Sequence, residues 1–171
     1  MKSPTLKLSL MALLMFGFSF FALIPLFDVF VALSGLNGKT GRIEASAIDT
    51  TRVDTTRVIE VRFLANTGSG LPWSFEPLVK KMDVHPGKLY DALYRVRSST
   101  EMPTTGQAVP SVSPGQAAKY FNKTRCFCFT QQYLAGYESR DMPLQFIIDS
   151  AISENIEQIT LSYTFFIVDK T

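Results

Sequence analysis

The 171-residue sequence contains only two cysteines and one histidine, which restricts the chemistry that it can perform. Two cysteines are too few for a disulfide scaffold or a cysteine-rich zinc module. Because His85 is the only histidine, a multi-histidine metal site is excluded. Most Ser-His or Cys-His catalytic schemes are excluded as well, unless His85 is itself the catalytic histidine. No carboxylate pair is spaced for acid–base catalysis, and no glycine-rich phosphate loop follows a predicted strand. The sequence therefore favours a protein that is not an enzyme.

Charged residues are also scarce, at 19% of the chain against 46% hydrophobic residues, which excludes a disordered, highly charged protein. Lys2 and Lys7 precede every acidic residue and account for the whole formal net charge of +2. The remaining chain is neutral, without the basic face that a nucleic-acid partner requires. The length predicts one folded domain.

Residues 8–27 form an uncharged run of 20 residues, LSLMALLMFGFSFFALIPLF. A helix of that length spans roughly 30 Å, the thickness of the bilayer hydrocarbon. A cleaved signal peptide is the alternative, with Ala32 and Ser34 as small residues before a cut. Signal peptides usually have a shorter apolar run of about 7–15 residues, so the length favours an uncleaved anchor.

The charges that flank this run predict its orientation. Lys2 and Lys7 precede it and Asp28 follows it, so the positive-inside rule places the N-terminus in the cytoplasm. The short N-terminus leaves no room for an organelle transit peptide, which favours a single-pass protein of the bacterial inner membrane with its domain in the periplasm. The predicted organisation is a cytoplasmic tail (1–7), a transmembrane anchor (8–27), a linker (28–50) and a folded domain (51–171).

The remaining chain has the pattern of an all-β protein. Apolar and polar residues alternate over residues 55–65 and 158–168, and further strands are predicted at 89–97, 120–130 and 144–149. Residues 99–118, which contain three prolines, are predicted as a loop with one short edge strand. About seven short strands separated by turns predict a β-sandwich or barrel, and we expect an immunoglobulin-like β-sandwich.

The two cysteines, Cys126 and Cys128, are separated by Phe127. On an extended strand both sulfurs would project from one face, with Phe127 on the other, and the Cα atoms would lie near the upper limit for a disulfide. This spacing favours clamping one soft ion, and two thiolates without other ligands favour Cu(I). Zinc would need four ligands, which two copies of the chain could pool in a homodimer with a shared site. Two buried core cysteines and a redox pair are the alternatives that the spacing leaves open.

Several longer stretches resemble the CtaG family of cytochrome c oxidase assembly proteins. The most specific element is CFCF within YFNKTRCFCFTQQ. The matching stretches are residues 24–28, 63–78, 82–88, 106–132, 141–149 and 159–166. The resemblance implies a single-pass inner-membrane protein with an immunoglobulin-like domain. It also implies that Cys126 and Cys128 receive Cu(I) from an upstream donor and carry it to the copper-B centre of oxidase subunit I.

One position departs from the family pattern. The family usually carries a third cysteine just after the membrane span, where this sequence has Val31. Any step that depends on a third thiol is therefore not expected here. His85, Met82 and Met142 are weaker candidate ligands, because turn histidines and core methionines are more common than soft-metal ligands in such positions. A thiol–disulfide exchange protein and a metal-free scaffold for oxidase assembly are the alternative functions.

Overall fold

The computed structural model describes residues 4–23, 25–27, 29 and 53–168. Residue contacts divide the chain into two units, residues 1–37 and 38–171. The predicted linker, residues 28–50, lies outside the described residues apart from Val29, and so does Val31.

The N-terminal unit is helical. Helix α1, Pro4–Phe18, continues into a π-helical segment, Ser19–Leu23. Among the described residues, one helix, Leu6–Phe27, is long and apolar enough to cross a membrane. It contains the whole predicted anchor and fits a single-pass membrane protein.

The second unit consists of two β-sheets. The described residues form nine strands: β1 Ile59–Thr67, β2 Trp73–Pro77, β3 Lys81–Val84, β4 Leu89–Ser98, β5 Thr104–Ser113, β6 Phe121–Cys126, β7 Gln132–Leu134, β8 Ser139–Ile148 and β9 Gln158–Ile167. The five-stranded sheet has the order β3-β1-β9-β5-β7, and the four-stranded sheet has the order β2-β4-β8-β6. The pairs are antiparallel except for β1 and β9, which run parallel.

The hydrophobic core lies between the two sheets. On β1 the alternating residues Ile59, Val61 and Phe63 are buried, as their period of two predicts. The Phe63 ring contacts Tyr94 and Phe146 of the opposite sheet, with centroid distances of 6.3 and 5.8 Å. These contacts make the domain a β-sandwich, which confirms the predicted fold class with nine strands instead of about seven.

The prediction for residues 99–118 was wrong. Ten of these residues form β5, which pairs with β9 from Gly106 to Ser113. Pro110 is compatible with the strand because β7 covers only Thr104–Gly106 on the other side. Beyond Gly106 no strand among the described residues pairs with that side of β5, so a missing N–H there costs no ladder hydrogen bond.

Candidate functional site

The cysteines lie where β6 ends, at the edge of the four-stranded sheet. Cys126 is the last residue of β6 and pairs with Leu144 of β8. The chain then enters a single 3₁₀ turn, Phe127–Phe129, which contains Cys128. The Cys128 amide donates a hydrogen bond to Cys126 Sγ over 3.1 Å. The predicted extended strand through both cysteines was therefore wrong, since only Cys126 belongs to it.

Cys126 and Cys128 form a disulfide in this structure. Their Cα atoms are 5.1 Å apart, within the usual range for a disulfide. Two residues of extended strand would separate them by roughly 6.6 Å, near the upper limit. The expectation that the spacing disfavours a bond between the two sulfurs was wrong, because the 3₁₀ turn brings them together.

The turn places Phe127 in the core. Cys126 and Phe127 are both only 7% exposed, although successive residues of an extended strand face opposite sides. The Phe127 ring packs against four aromatic rings at centroid distances of 4.8 to 5.9 Å: Phe75, Tyr94, Tyr163 and Phe165. Burying both neighbours requires the backbone to leave the extended conformation.

Two glutamine side chains hold the turn from outside. Gln107 Nε2 donates to the carbonyl oxygen of Cys128 over 2.8 Å, and Gln132 Nε2 donates to that of Phe127 over 3.0 Å. These residues come from β5 and β7 of the other sheet. The turn is therefore tied to both sheets, and the sulfurs have a defined position.

A tyrosine lies behind the two sulfurs. Tyr163 Oη is 3.0 Å from Cys126 Sγ and 3.8 Å from Cys128 Sγ. Burial holds the pKa of this hydroxyl well above its ordinary value, and the nearby Tyr94 raises it further. The hydroxyl therefore keeps its proton and donates, because the sulfurs of a disulfide have no proton to give.

A buried lysine also reaches this region. Lys123 is 1% exposed, and its Nζ lies 5.9 Å from the centroid of the Tyr163 ring. Burial lowers the pKa of Lys123 to about 8. Lysines are seldom buried without a partner charge, and the ring that Lys123 approaches belongs to the tyrosine whose hydroxyl contacts the sulfurs.

The two cysteines differ in accessibility. Cys126 is buried beneath the turn, whereas Cys128 is partly exposed. A reagent or partner in solution therefore meets Cys128 first. The asymmetry follows from the turn, because on an extended strand both sulfurs would share one face.

The weaker candidate ligands are placed elsewhere. His85 Nδ1 lies 2.7 Å from the carbonyl oxygen of Arg57. Nearby, Gly87 N donates to the Ile148 carbonyl, four residues along β8 (roughly 13 Å) from the partner of Cys126. Met142 is buried in the core and Met82 is partly buried against it. Within the described part of the chain, no three His, Cys, Asp or Glu residues form a metal-binding group.

The model of the cytochrome c oxidase assembly protein CtaG/Cox11 family matches residues 23–167, which include both the cysteine turn and Tyr163. The chain belongs to this family. The CtaG/Cox11 relatives include cytochrome c oxidase assembly proteins CtaG from Rhizobium meliloti (strain 1021) and Rhodopseudomonas palustris (strain HaA2). The Rhizobium protein is 39% identical, over 85% of this chain and 74% of its own length. The Rhodopseudomonas protein is 40% identical, over 92% of this chain and 76% of its own length.

Four residues around the cysteine turn were not predicted from the sequence: Lys123, Tyr163, Gln107 and Gln132. Tyr163 lies on the buried face of an alternating segment, so its sequence pattern indicates core. Gln107 fell in the segment interpreted as loop. Lys123 carried no distinctive signal either, because the predicted strand 120–130 also contains the polar residues Asn122, Thr124 and Arg125.

Proposed function

We propose that this protein is a membrane-anchored copper carrier, without catalytic activity, that serves cytochrome c oxidase assembly. In this proposal Cys126 and Cys128 bind Cu(I) and deliver it to the copper-B centre of oxidase subunit I. The main support is that the chain's only two cysteines have their sulfurs together at one turn, within the segment that the family model matches.

Copper binding requires the disulfide to be opened first. A dithiol donor supplies two electrons and two protons, becomes a disulfide itself, and leaves two thiols on this chain. Cu(I) then binds the deprotonated sulfurs, and the thiol protons are released to solvent. The partly exposed Cys128 is the accessible sulfur for the attacking thiolate.

The donor set fits Cu(I) better than other metals. Thiolates are soft ligands, and Cu(I) accepts low coordination numbers, so one pair suffices. Structural zinc needs four ligands, which only a dimer could supply from these residues. Transfer proceeds by ligand exchange: a histidine of the recipient joins the ion before a thiolate leaves. In a homodimer, the two copies would together supply four thiolates to one shared copper site.

The apolar helix supports a membrane location for this carrier. An anchor through the bacterial inner membrane, with the N-terminus in the cytoplasm and the β-sandwich in the periplasm, places the carrier in the membrane that holds its recipient. Confinement to one membrane raises their effective concentration. An upstream donor would load the Cu(I) on the same side.

The direct test is an anaerobic Cu(I) titration of the reduced full chain in detergent, against a competing chelator. We expect about one copper for each chain, or one for each two chains if the site is shared between copies. Cys126→Ser and Cys128→Ser should each abolish tight uptake. The matched control is Met82→Leu, which removes a soft thioether from a partly buried position and should leave uptake unchanged. Absence of uptake by the reduced wild-type chain would refute the proposal.

A cellular test asks whether the two cysteines are needed to assemble an active oxidase. In cells that depend on this protein for oxidase activity, we expect Cys126→Ser or Cys128→Ser to abolish assembly of an active oxidase. The variant proteins should still accumulate at normal levels. A fully active oxidase in either variant would exclude the carrier role.

The disulfide itself favours a second candidate, thiol–disulfide exchange without metal. In that role the pair would oxidise or reduce a partner's cysteines instead of carrying an ion. The distinguishing measurement is the rate of exchange with a small dithiol at neutral pH. A rate well above that of a free cysteine, together with no Cu(I) uptake, would favour this candidate over the carrier.

A further inference from the structure

The Tyr163 hydroxyl is the nearest polar side-chain group recorded at the two sulfurs. It lies 3.0 Å from Cys126 Sγ and 3.8 Å from Cys128 Sγ. The first distance is a hydrogen bond to sulfur, and the second is close enough for a small rotation to redirect the proton. The hydroxyl comes from β9, 37 residues after Cys126, so it is supplied by a different strand from the one that ends at the cysteine turn.

The ring of Tyr163 has little freedom to move. It is fully buried and packs against Phe127 and Tyr94, with centroid distances of 4.8 and 5.4 Å. Its strand is paired on both sides, with β1 and with β5. The hydroxyl therefore stays at the sulfurs when the bond between them opens.

Opening the disulfide changes the strength of this hydrogen bond. A disulfide sulfur is a weak acceptor, whereas a thiolate carries a negative charge and accepts more strongly. The same donor therefore stabilises the reduced pair more than the oxidised pair once a reduced sulfur is a thiolate, free or bound to a metal. It also restrains Cys126, because the sulfur of a free thiol could otherwise rotate away about its χ1 angle.

We propose that Tyr163 is a positioning residue for the reduced cysteine pair: its hydroxyl donates to Cys126 Sγ and holds that sulfur in line with Cys128 for a common ligand. This inference deepens the proposed function and rests on it where the ligand is Cu(I). The preference for the reduced pair does not depend on copper.

A matched pair of variants tests this role. Tyr163→Phe removes the hydroxyl and keeps the ring. Tyr94→Phe makes the same change one ring away, at a buried hydroxyl that has no hydrogen-bond partner. Both lose one oxygen atom from the same core, so a difference between them reports the contact with sulfur.

The first measurement is the equilibrium between each protein's disulfide and dithiothreitol, in the absence of metal and at alkaline pH, where thiols are largely thiolates. Dithiothreitol reduces the disulfide and becomes a cyclic disulfide, so the reduced fraction gives the equilibrium constant. We expect Tyr163→Phe to lower this constant about tenfold, the scale of a hydrogen bond that strengthens when its acceptor becomes charged. Tyr94→Phe should stay within about twofold of wild type. Equal constants for Tyr163→Phe and wild type, or equal shifts in both variants, would overturn the inference.

The second measurement is the Cu(I) affinity of the reduced proteins, at one pH and against one chelator. We expect Tyr163→Phe to bind about tenfold more weakly than wild type, and Tyr94→Phe to match wild type. If wild type binds no Cu(I), the proposed function fails while the dithiothreitol equilibrium still decides the role of Tyr163. If wild type binds tightly and Tyr163→Phe equals it in both measurements, only the role of Tyr163 fails.

A measurement on the wild-type protein covers the case in which Tyr163→Phe does not fold. Labelled tyrosine allows NMR to follow the hydroxyl proton of Tyr163 in the oxidised and the reduced protein. We expect slow exchange with solvent in both, with a larger downfield shift after reduction. Rapid exchange in the reduced protein would contradict the inference.

Discussion

Lys123 gives the most quantitative prediction, because an almost fully buried lysine should reduce the stability of the domain at neutral pH. Burial lowers its pKa from 10.5 to about 8, and the nearest aromatic contact recorded for its Nζ is the ring of Tyr163. One pKa unit corresponds to about 1.4 kcal/mol, so keeping this lysine charged costs the folded state about 3 kcal/mol below pH 8. The cation–π contact offsets about 1 kcal/mol of that.

The sign of the pH dependence follows from the lowered pKa. Between pH 8 and pH 10.5 the unfolded chain binds the Lys123 proton more than the folded chain does. The free energy of unfolding therefore rises with pH across that window, while below pH 8 the penalty is complete and constant. From pH 7 to pH 9.5 the contribution of Lys123 should change by about 2 kcal/mol in favour of the folded state.

The perturbation is Lys123→Met, which keeps a long flexible side chain and removes the charge. At pH 7 we expect the free energy of unfolding to increase by about 1–2 kcal/mol. This gain is the cost of burying the charged lysine, which the substitution removes, reduced by the cation–π contact that is lost with it. The gain should shrink to nothing or reverse by pH 9.5, because the wild-type lysine is then largely neutral when folded. The assay is urea unfolding of oxidised residues 38–171 at both pH values, and the difference between proteins cancels the titration of all other groups.

Lys119→Met is the matched control. Lys119 Nζ also lies over a tyrosine ring, 4.7 Å from the centroid of Tyr120, but the lysine is exposed. Removing its charge should change stability little and equally at both pH values. The reasoning is refuted if Lys123→Met destabilises the domain at pH 7, or if its effect is the same at pH 7 and pH 9.5.

Three further substitutions test the packing around the site by urea unfolding. Phe127→Ala should cost roughly 3–5 kcal/mol, because it empties a space bounded by four aromatic rings; a loss below about 1 kcal/mol would show that the ring does not hold the turn. Gly106→Ala should destabilise by about 1–3 kcal/mol, since its new Cβ would lie 2.8 Å from the Trp73 ring; unchanged stability would contradict that contact. Tyr94→Phe should leave stability unchanged or raised, because the hydroxyl it removes is buried without a partner; a large loss would reveal an unrecognised bond.

The sequence predicts those elements that have a clear period and apolar content. Residues 158–165 alternate strictly and form most of β9, and residues 89–97 fall within β4. The uncharged N-terminal run likewise corresponds to the one apolar helix long enough to span a membrane among the described residues. β5 was missed because proline and glycine usually interrupt strands. What allowed Pro110 there is the short length of β7, a neighbour whose position depends on the tertiary fold.

The candidate site, too, could be predicted from the sequence only in part. Its two cysteines are recognisable in the sequence by type and spacing, and the family resemblance assigns them a role. The Tyr163 contact was not predictable, because it joins residues 35 and 37 positions apart through the packing of two sheets. The disulfide was not predictable from local geometry for a related reason: the backbone conformation at Cys128 depends on how the Phe127 side chain packs in the core.

The residue between the cysteines therefore controls how closely their sulfurs approach. β6 is an edge strand, so continuing it would place the Phe127 side chain on the face opposite to Cys126, away from the core. Its burial against four rings favours the 3₁₀ turn, and the turn shortens the Cα separation from roughly 6.6 Å to 5.1 Å. A polar residue at position 127 would lose that driving force and allow the strand to continue, with the sulfurs farther apart. The aromatic residue is thus as much a part of the cysteine site as the spacing itself.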